Sequence, residues 1–244
     1  MLPIKKDLKL VKSLHQKKFR KEHGLFLIEG KKPVEEALQS NFKLHSLYSC
    51  DATFLEKFKQ GILVNSKDMA QISALNTPSD YLAVLYIPDN RSISISSKSQ
   101  IILDGISDPG NMGTILRTAD WFGFDEIVCS EDTVELYNPK VVQSTMGSLF
   151  RVKVHYTDLS VYLNELKNSG YIVTGADLDG ENAFDFAFPE KTALVVGSES
   201  HGIRPNVESL LSKKVNIPGA GKAESLNAGI AAGILLSCWF KVKA

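Results

Sequence analysis

The stretch from Ile101 to Ala119, IILDGISDPGNMGTILRTA, restricts the fold more than any other part of the chain. Ile101-Ile102-Leu103 is a short apolar run that reads as a buried strand. Asp104-Gly105 ends it, and Ser107-Asp108-Pro109-Gly110 forces a loop. Asn111 follows as an N-cap candidate, its side-chain oxygen within reach of the amides of Gly113 or Thr114. Ile115, Leu116, Ala119 and Phe122 then recur at helical spacing, while Gly113, Arg117 and Asp120 share a different face near the helix start. Strand, polar loop and capped helix make one unit of a layered α/β sheet. Taken alone, the unit is also what an ordinary crossover with a solvated arginine would look like.

The same alternation runs through the whole chain of 244 residues. Before it, Leu8, Val11 and Leu14 mark the apolar face of a first helix, and Phe26-Leu27-Ile28 reads as a strand that stops at Glu29-Gly30. Val34, Ala37 and Leu38 belong to a helix, the segments 44–49, 62–64 and 81–87 read as strands, and 66–75 as a helix opened by a Ser66 cap. This predicts a small α/β domain with a mainly parallel sheet. The serine-rich stretch 92–99 reads as a linker, with a boundary near residue 96 between domains at 1–96 and 97–244. Beyond it, strands are expected at 127–129, 152–155, 171–176, 192–196 and 215–217, with helices at 139–149, 159–168, 205–211 and 225–240. The expected architecture is a sheet with helices on both faces.

Composition excludes several classes. The three cysteines, Cys50, Cys129 and Cys238, form no CxxC pair and no metal-type spacing, which suits buried thiols in a reducing compartment. No metal requirement is expected. The N-terminus lacks the apolar core of a signal peptide, and the longest apolar run, Ala228–Phe240, has 13 residues. The expectation is a cytoplasmic protein with no membrane partner. The net charge of zero hides an asymmetry. Residues 1–32 carry ten basic against three acidic residues, a balance of +7, and the remainder carries −7. A basic end on an acidic body suits a polyanion-binding surface, and equally a solvated amphipathic helix.

Two further loops raise the value of the first. Gly197-Ser-Glu199-Ser-His-Gly202 directly follows the strand 192–196, with glycines that permit tight turns on either side of Glu199. Ile217-Pro-Gly-Ala-Gly-Lys-Ala-Glu-Ser225-Leu226-Asn227 leads into the last helix. In open parallel sheets, ligands bind beyond the carboxyl ends of the strands, where all three loops stand. The third loop is not a dinucleotide motif, because Glu224 occupies the third glycine position, nor a P-loop, because Ala223 replaces the Ser/Thr. Gly229 and Gly233 in the following helix are expected to admit a second backbone at close range. His201, with no histidine near it in sequence, is expected to be exposed or locally hydrogen-bonded.

Together, Asn111-x5-Arg117-Thr-Ala, Gly197-x-Glu199-x2-Gly202 and Ile217-Pro…Glu224-Ser-Leu-Asn227 resemble the three ordered motifs of the SpoU-type, TrmH-like RNA ribose methyltransferases of the SPOUT superfamily. The resemblance covers the second domain, with Ser200 and Gly219 departing from the common pattern. The first domain, with Arg20, Phe26-Leu-Ile-Glu-Gly30 and Lys31-Lys32, is similar to the substrate-binding domain of many members.

The resemblance implies an α/β fold threaded into a trefoil knot, a smaller α/β substrate-binding domain before it, a homodimer, and S-adenosylmethionine as cofactor. It implies cofactor contacts at Gly197, Ile217 and Leu226, and a catalytic pocket of Asn111, Arg117, Glu199, Ser225 and Asn227. RNA, with ribosomal RNA preferred to transfer RNA, is the implied substrate, bound by Lys17, Lys18, Arg20, Lys31 and Lys32. A non-catalytic RNA-binding factor on the same fold is the alternative from another class. A guanidinium with a pKa above about 12 stays protonated in proteins. Arg117 is therefore expected to hold a phosphate and stabilise a developing alkoxide, while the proton goes to the phosphate, Glu199 or water.

Overall fold

A computed structural model describes residues 5–58, 61–89 and 99–243. The linker expected at 92–99 lies, but for its last residue, outside the described residues. The chain divides into two compact units, 1–89 with 135–150, and 90–134 with 151–244.

The first unit opens with α1 (Lys5–Ser13) and α2 (Lys17–His23), followed by β1 (Leu25–Glu29), α3 (Lys31–Gln39), β2 (Leu44–Ser49), α4 (Ala52–Leu55), β3 (Gly61–Leu63), α5 (Ser66–Ile72) and β4 (Tyr81–Tyr86). Its strand order is β1-β4-β2-β3. The parallel sheet expected here is not what forms. β4 runs antiparallel to both β1 and β2, and only β2 with β3 is parallel. Strand–helix alternation does not reveal this, because the last strand inserts between two earlier ones. The α5 cap also differs: Asn65 accepts from Asp68 N at 2.8 Å, so Ser66 is the first helical residue. Val11, Leu14, Leu25, Leu27, Met69, Leu82 and Val84 close one core. Glu29 is buried at the end of β1, where its carboxylate accepts from Ser73 Oγ at 2.5 Å and Ala74 N at 2.7 Å.

The second unit begins with β5 (Ser99–Asp104), α6 (Pro109–Trp121) and β6 (Glu126–Ser130). The chain then enters α7 (Pro139–Thr145) and a 3-10 turn at Ser148–Phe150, which belong to the first unit although a linear boundary near residue 96 would place them in the second. The expected helix over 139–149 is split there, because Met146 and Gly147 adopt positive φ of 49° and 93°. The second unit resumes with β7 (Lys153–Thr157), α8 (Leu159–Asn168), β8 (Ile172–Asn182), β9 (Thr192–Gly197), α9 (Pro205–Glu208), β10 (Lys213–Asn216) and α10 (Ala228–Lys243). Its six strands lie in the order β10-β8-β9-β5-β6-β7, all parallel. β5 and β6 are buried along their whole length, as apolar strands covered on both faces must be. Ile102, Val128, Leu163, Leu166 and Val195 form the core on one side. Trp239 of α10, 1% exposed, stacks on Phe188 with ring centroids 5.6 Å apart. No helix among the described residues is long and apolar enough to cross a membrane.

Candidate active site

The loop between β5 and α6 presents Asn111 differently from the expectation. Asp108 is the N-cap, its Oδ1 accepting from Asn111 N at 2.8 Å, with Pro109 in the first turn. Asn111 is thereby moved inside the helix and its amide is released for a long-range partner. Nδ2 donates to Glu199 Oε1 at 2.9 Å, and the residue is only 8% exposed.

Glu199 stands on a small closed loop after β9. Ser198 N donates to Gly202 O at 3.1 Å and Gly202 N returns to Ser198 O at 2.9 Å, closing a stem around residues 199–201. A Cβ on Gly197 would come within 2.2 Å of the Gly202 carbonyl carbon, so only glycine lets the two legs of the loop approach. Gly202 itself has φ +63°. His201 is exposed and its Nδ1 shares a hydrogen bond with Ser200 Oγ at 2.7 Å.

The third loop brings Asn227 to the same place. α10 begins at Ala228, three residues later than expected, because Asn227 caps it through Oδ1, accepting from Ile230 N at 3.2 Å. That bond fixes the amide orientation, so Nδ2 faces inward, donating to Asn111 Oδ1 at 2.9 Å and to Glu199 Oε1. Ala228 N adds a third donor to the same Glu199 oxygen at 3.0 Å. The carboxylate thus sits at the amino end of a 16-residue helix, where the helix dipole favours negative charge. Three N–H donors converge on Oε1. Gly229 packs closely on α6, its Cβ position 3.3 Å from Thr114 Cβ, whereas Gly233 meets only Thr118 at an ordinary 3.8 Å; the nearest atoms at both are side chains, not the second backbone expected.

Beside this cluster is a cavity of about 480 Å³, within the size range of small-molecule sites. Gly197, Ile217 and Leu226 all line it, with Glu199 and Ser225. Val196, Ile203, Val215 and Leu235 complete an apolar wall, and Asp177, Asp179 and Glu208 form an acidic edge that the sequence reading missed. Asp177 is held below the usual carboxylate range by the Asp179 backbone N–H and by Lys214, whose ammonium lies 2.9 Å away. Lys214 is pushed up in turn by Glu208, at 2.6 Å, and Asp177. Asp177 and Asp179 escape a motif search because they come from a bulge in β8, where pairing with β10 jumps from Gly175 to Glu181, and Glu208 because it joins them from α9.

Arg117 is exposed on α6, and no described residue pairs with it. Six residues beyond Asn111, it lies about 9 Å further along the helix and about a third of a turn round. The structure therefore joins Asn111, Glu199 and Asn227, and leaves Arg117 outside that contact. In the first unit, Lys17, Lys18, Lys31 and Lys32 are exposed. Arg20 corrects the expectation of an RNA-binding role. It is 2% exposed, its guanidinium reaching Glu135 Oε2 at 2.6 Å and the carbonyls of Leu14 and His15 at 2.8 and 2.9 Å. All of its charge is used inside the unit.

A parallel sheet whose C-terminal loops wall a cavity, with a carboxylate and two amides locked together at its edge, is the build of an α/β protein with a small-molecule site. The chain belongs to the SpoU rRNA methylase family, whose model matches residues 98–237, and residues 5–83 match an MRM3-like substrate-binding domain. The family uses S-adenosylmethionine. The chain is 34% identical over 230 residues to the 23S rRNA (guanosine(2553)-2′-O)-methyltransferase RlmP of Bacillus subtilis (strain 168), covering 92% of each chain. A solved TrmH-family structure from Porphyromonas gingivalis superposes with a TM-score of 0.90 at 33% identity, over 98% of both chains. The SpoU methyltransferase AviRb from Streptomyces viridochromogenes, solved with AdoMet, gives 0.86 at 25% identity over 97% of both.

Proposed function

We propose that this chain methylates a ribose 2′-hydroxyl of ribosomal RNA. The observation that carries the reading is the convergence of Asn111, Glu199 and Asn227 beside the cavity lined by Gly197, Ile217 and Leu226. S-adenosylmethionine, when bound, supplies a methyl group on a positively charged sulfur. The donor set suits it: an apolar wall for a flat base, the Asp179 carboxylate, which Lys214 does not pair, for the cationic groups, and a glycine edge where backbone takes the place of side chains. Gly197, Ile217 and Leu226 would hold the cofactor, largely through backbone. The trefoil crossing expected of the family falls, on this reading, between Gly197 and Asn227.

The chain's own residues then have separable tasks. Asn111 and Asn227 fix Glu199 through Oε1, while Oε2 has no partner among the described residues and serves as an acceptor at the cavity edge. With Ser225, it orients the ribose hydroxyl in line with the methyl group, and positioning of this kind supplies a large part of such a rate. Arg117 stays protonated, so it holds the adjacent phosphate and stabilises the developing alkoxide. The proton goes to the phosphate, to Glu199 or to water.

Lys17, Lys18, Lys31 and Lys32 are the phosphate contacts of the first unit on this proposal, which follows the division into a substrate-binding domain and a methyltransferase domain. A cytoplasmic homodimer completes the reading, with the exposed apolar residues Ile230 and Phe240 of α10 in its support. The test is transfer of radiolabelled methyl from S-adenosylmethionine to ribosomal and transfer RNA, followed by mapping of the modified nucleotide. A 2′-O-methyl in ribosomal RNA is expected. Transfer confined to transfer RNA would change the substrate, and binding of RNA without transfer would make the chain a non-catalytic factor.

A further inference from the structure

We infer that Arg204 is a positioning residue of this site, setting the place of Glu199 through a buried clamp on Asp104. The inference rests on the reading of Glu199 given above, and its first arm below stands without it. Arg204 lies in a separate crevice of about 300 Å³ with Ser130, Asp132, Asp158 and Asn206, and does not line the cofactor cavity. It touches no reacting group.

Asp104 is the last residue of β5 and its side chain is fully buried. Its backbone pairs in register with Gly197, the residue from which the Glu199 loop leaves β9. Its side chain holds the same loop where it returns. Arg204 N donates to Oδ2 at 2.8 Å, Nε donates to Oδ1 at 2.7 Å, and Nη2 closes on the same oxygen. Nη1 reaches outward to Asp132 Oδ2 at 3.2 Å. Asp104 therefore grips both legs of the loop, one through main chain and one through side chain, just outside the Ser198–Gly202 stem. It is also the root of the first loop, since Gly105 follows it and Gly105 N is itself tied to Ser130 Oγ at 2.9 Å. Asn111, in the first turn of the helix that the first loop enters, and Glu199, on the second loop, thus both hang from one buried carboxylate.

Without the guanidinium, that fully buried carboxylate keeps only the Arg204 N donor and faces the crevice that the guanidinium now covers. An unpaired buried charge is strongly unfavourable, and hydrating it from the crevice loosens the leg of the loop that the clamp holds. A shift of 1 Å at a catalytic group costs about 10²-fold in rate.

The experiment compares Arg204→Met with the wild-type chain in two arms. In the first, hydrogen exchange is followed at residues 198–202, with thermal unfolding as the control for folding. Loss of protection confined to this loop is expected, and unchanged protection overturns the inference. In the second, single-turnover methyl transfer is measured at saturating cofactor and RNA, in the wild-type and Glu199→Gln backgrounds. Arg204→Met should cost about 10²-fold in the first background and little in the second, since the two changes act on one group. Equal losses in both backgrounds, or no loss in either, overturn the inference. If Arg204→Met does not fold, the pair Asp104→Asn/Arg204→Met removes the buried charge along with its partner and carries the same comparison. If wild-type protein modifies no RNA, the functional reading fails, and the exchange arm still decides the clamp.

Discussion

Asn227 donates through Nδ2 to Asn111 Oδ1 at 2.9 Å, although 116 positions of sequence separate them. Each amide is used at both ends, Asn227 on the α10 cap and Asn111 on Glu199, so neither can rotate without leaving a partner unsatisfied. The pair makes the start of α10 depend on the first turn of α6.

Replacing Asn111 by Asp tests that dependence. A carboxylate oxygen would face Glu199 Oε1 where Nδ2 now donates at 2.9 Å. Converting a buried hydrogen bond into an unsatisfied contact costs about 1–3 kcal/mol, or about 5- to 150-fold in single-turnover transfer. A wild-type rate in this variant would show the Asn111–Glu199 contact to be incidental.

Arg117 offers the cleaner separation of chemistry from folding. Being exposed and unpaired among the described residues, it should be replaceable by Ala with little change in thermal stability or cofactor affinity. Methyl transfer should be lost. Arg117→Lys should be nearly as poor as Ala if planar, bidentate contact with phosphate is needed, because an ammonium is a point donor. Normal turnover of the Ala variant would return Arg117 to the solvated surface.

The wall of the cavity beside Glu199 can be disturbed with one methyl group. Gly197→Ala would place Cβ about 2.2 Å from the Gly202 backbone, so the Glu199 loop must open. Calorimetric titration should show binding of S-adenosylmethionine and of its demethylated product to the wild-type chain and none to the variant. The circular dichroism of the two should match, because Gly197 is only the last residue of β9 and the strand before it is unchanged. Equal binding would move the cofactor elsewhere.

The basic N-terminal region divides into two behaviours. Charge reversal at Lys17, Lys18, Lys31 and Lys32 should weaken RNA binding, with melting temperature unchanged. The slope of affinity against salt should flatten by roughly 0.7–0.9 for each phosphate that is no longer neutralised. Arg20→Met should do the opposite. Losing a buried ion pair costs about 3–5 kcal/mol, so the first unit should melt early while RNA affinity of the folded protein is kept. An Arg20 variant of normal stability with weakened RNA binding would reverse this assignment.

By itself the sequence determined the local units. Ile101–Leu103 followed by Asp-Gly and a capped apolar periodicity has few other conformations available, and the β5–loop–α6 unit forms, with its helix starting at Pro109 instead of after Asn111. The three motifs, their order and the close-packing role of Gly229 were legible for the same reason: each is written in neighbouring residues. Tertiary structure decided which partner each polar group takes. Asn111 and Asp108 are both good caps, and Asp108 holds the position because Pro109 fixes the first turn after it, freeing Asn111 for a residue 88 positions away. Arg20 counts towards a basic end in any tally of charge, yet it is buried against Glu135, 115 positions on. The antiparallel β4, the acidic bulge of β8 and the Asp104–Arg204 clamp likewise depend on which distant backbones come together. Periodicity and caps are short-range signals fixed by backbone geometry. A buried polar group is satisfied by whatever the closed fold places within about 3 Å of it.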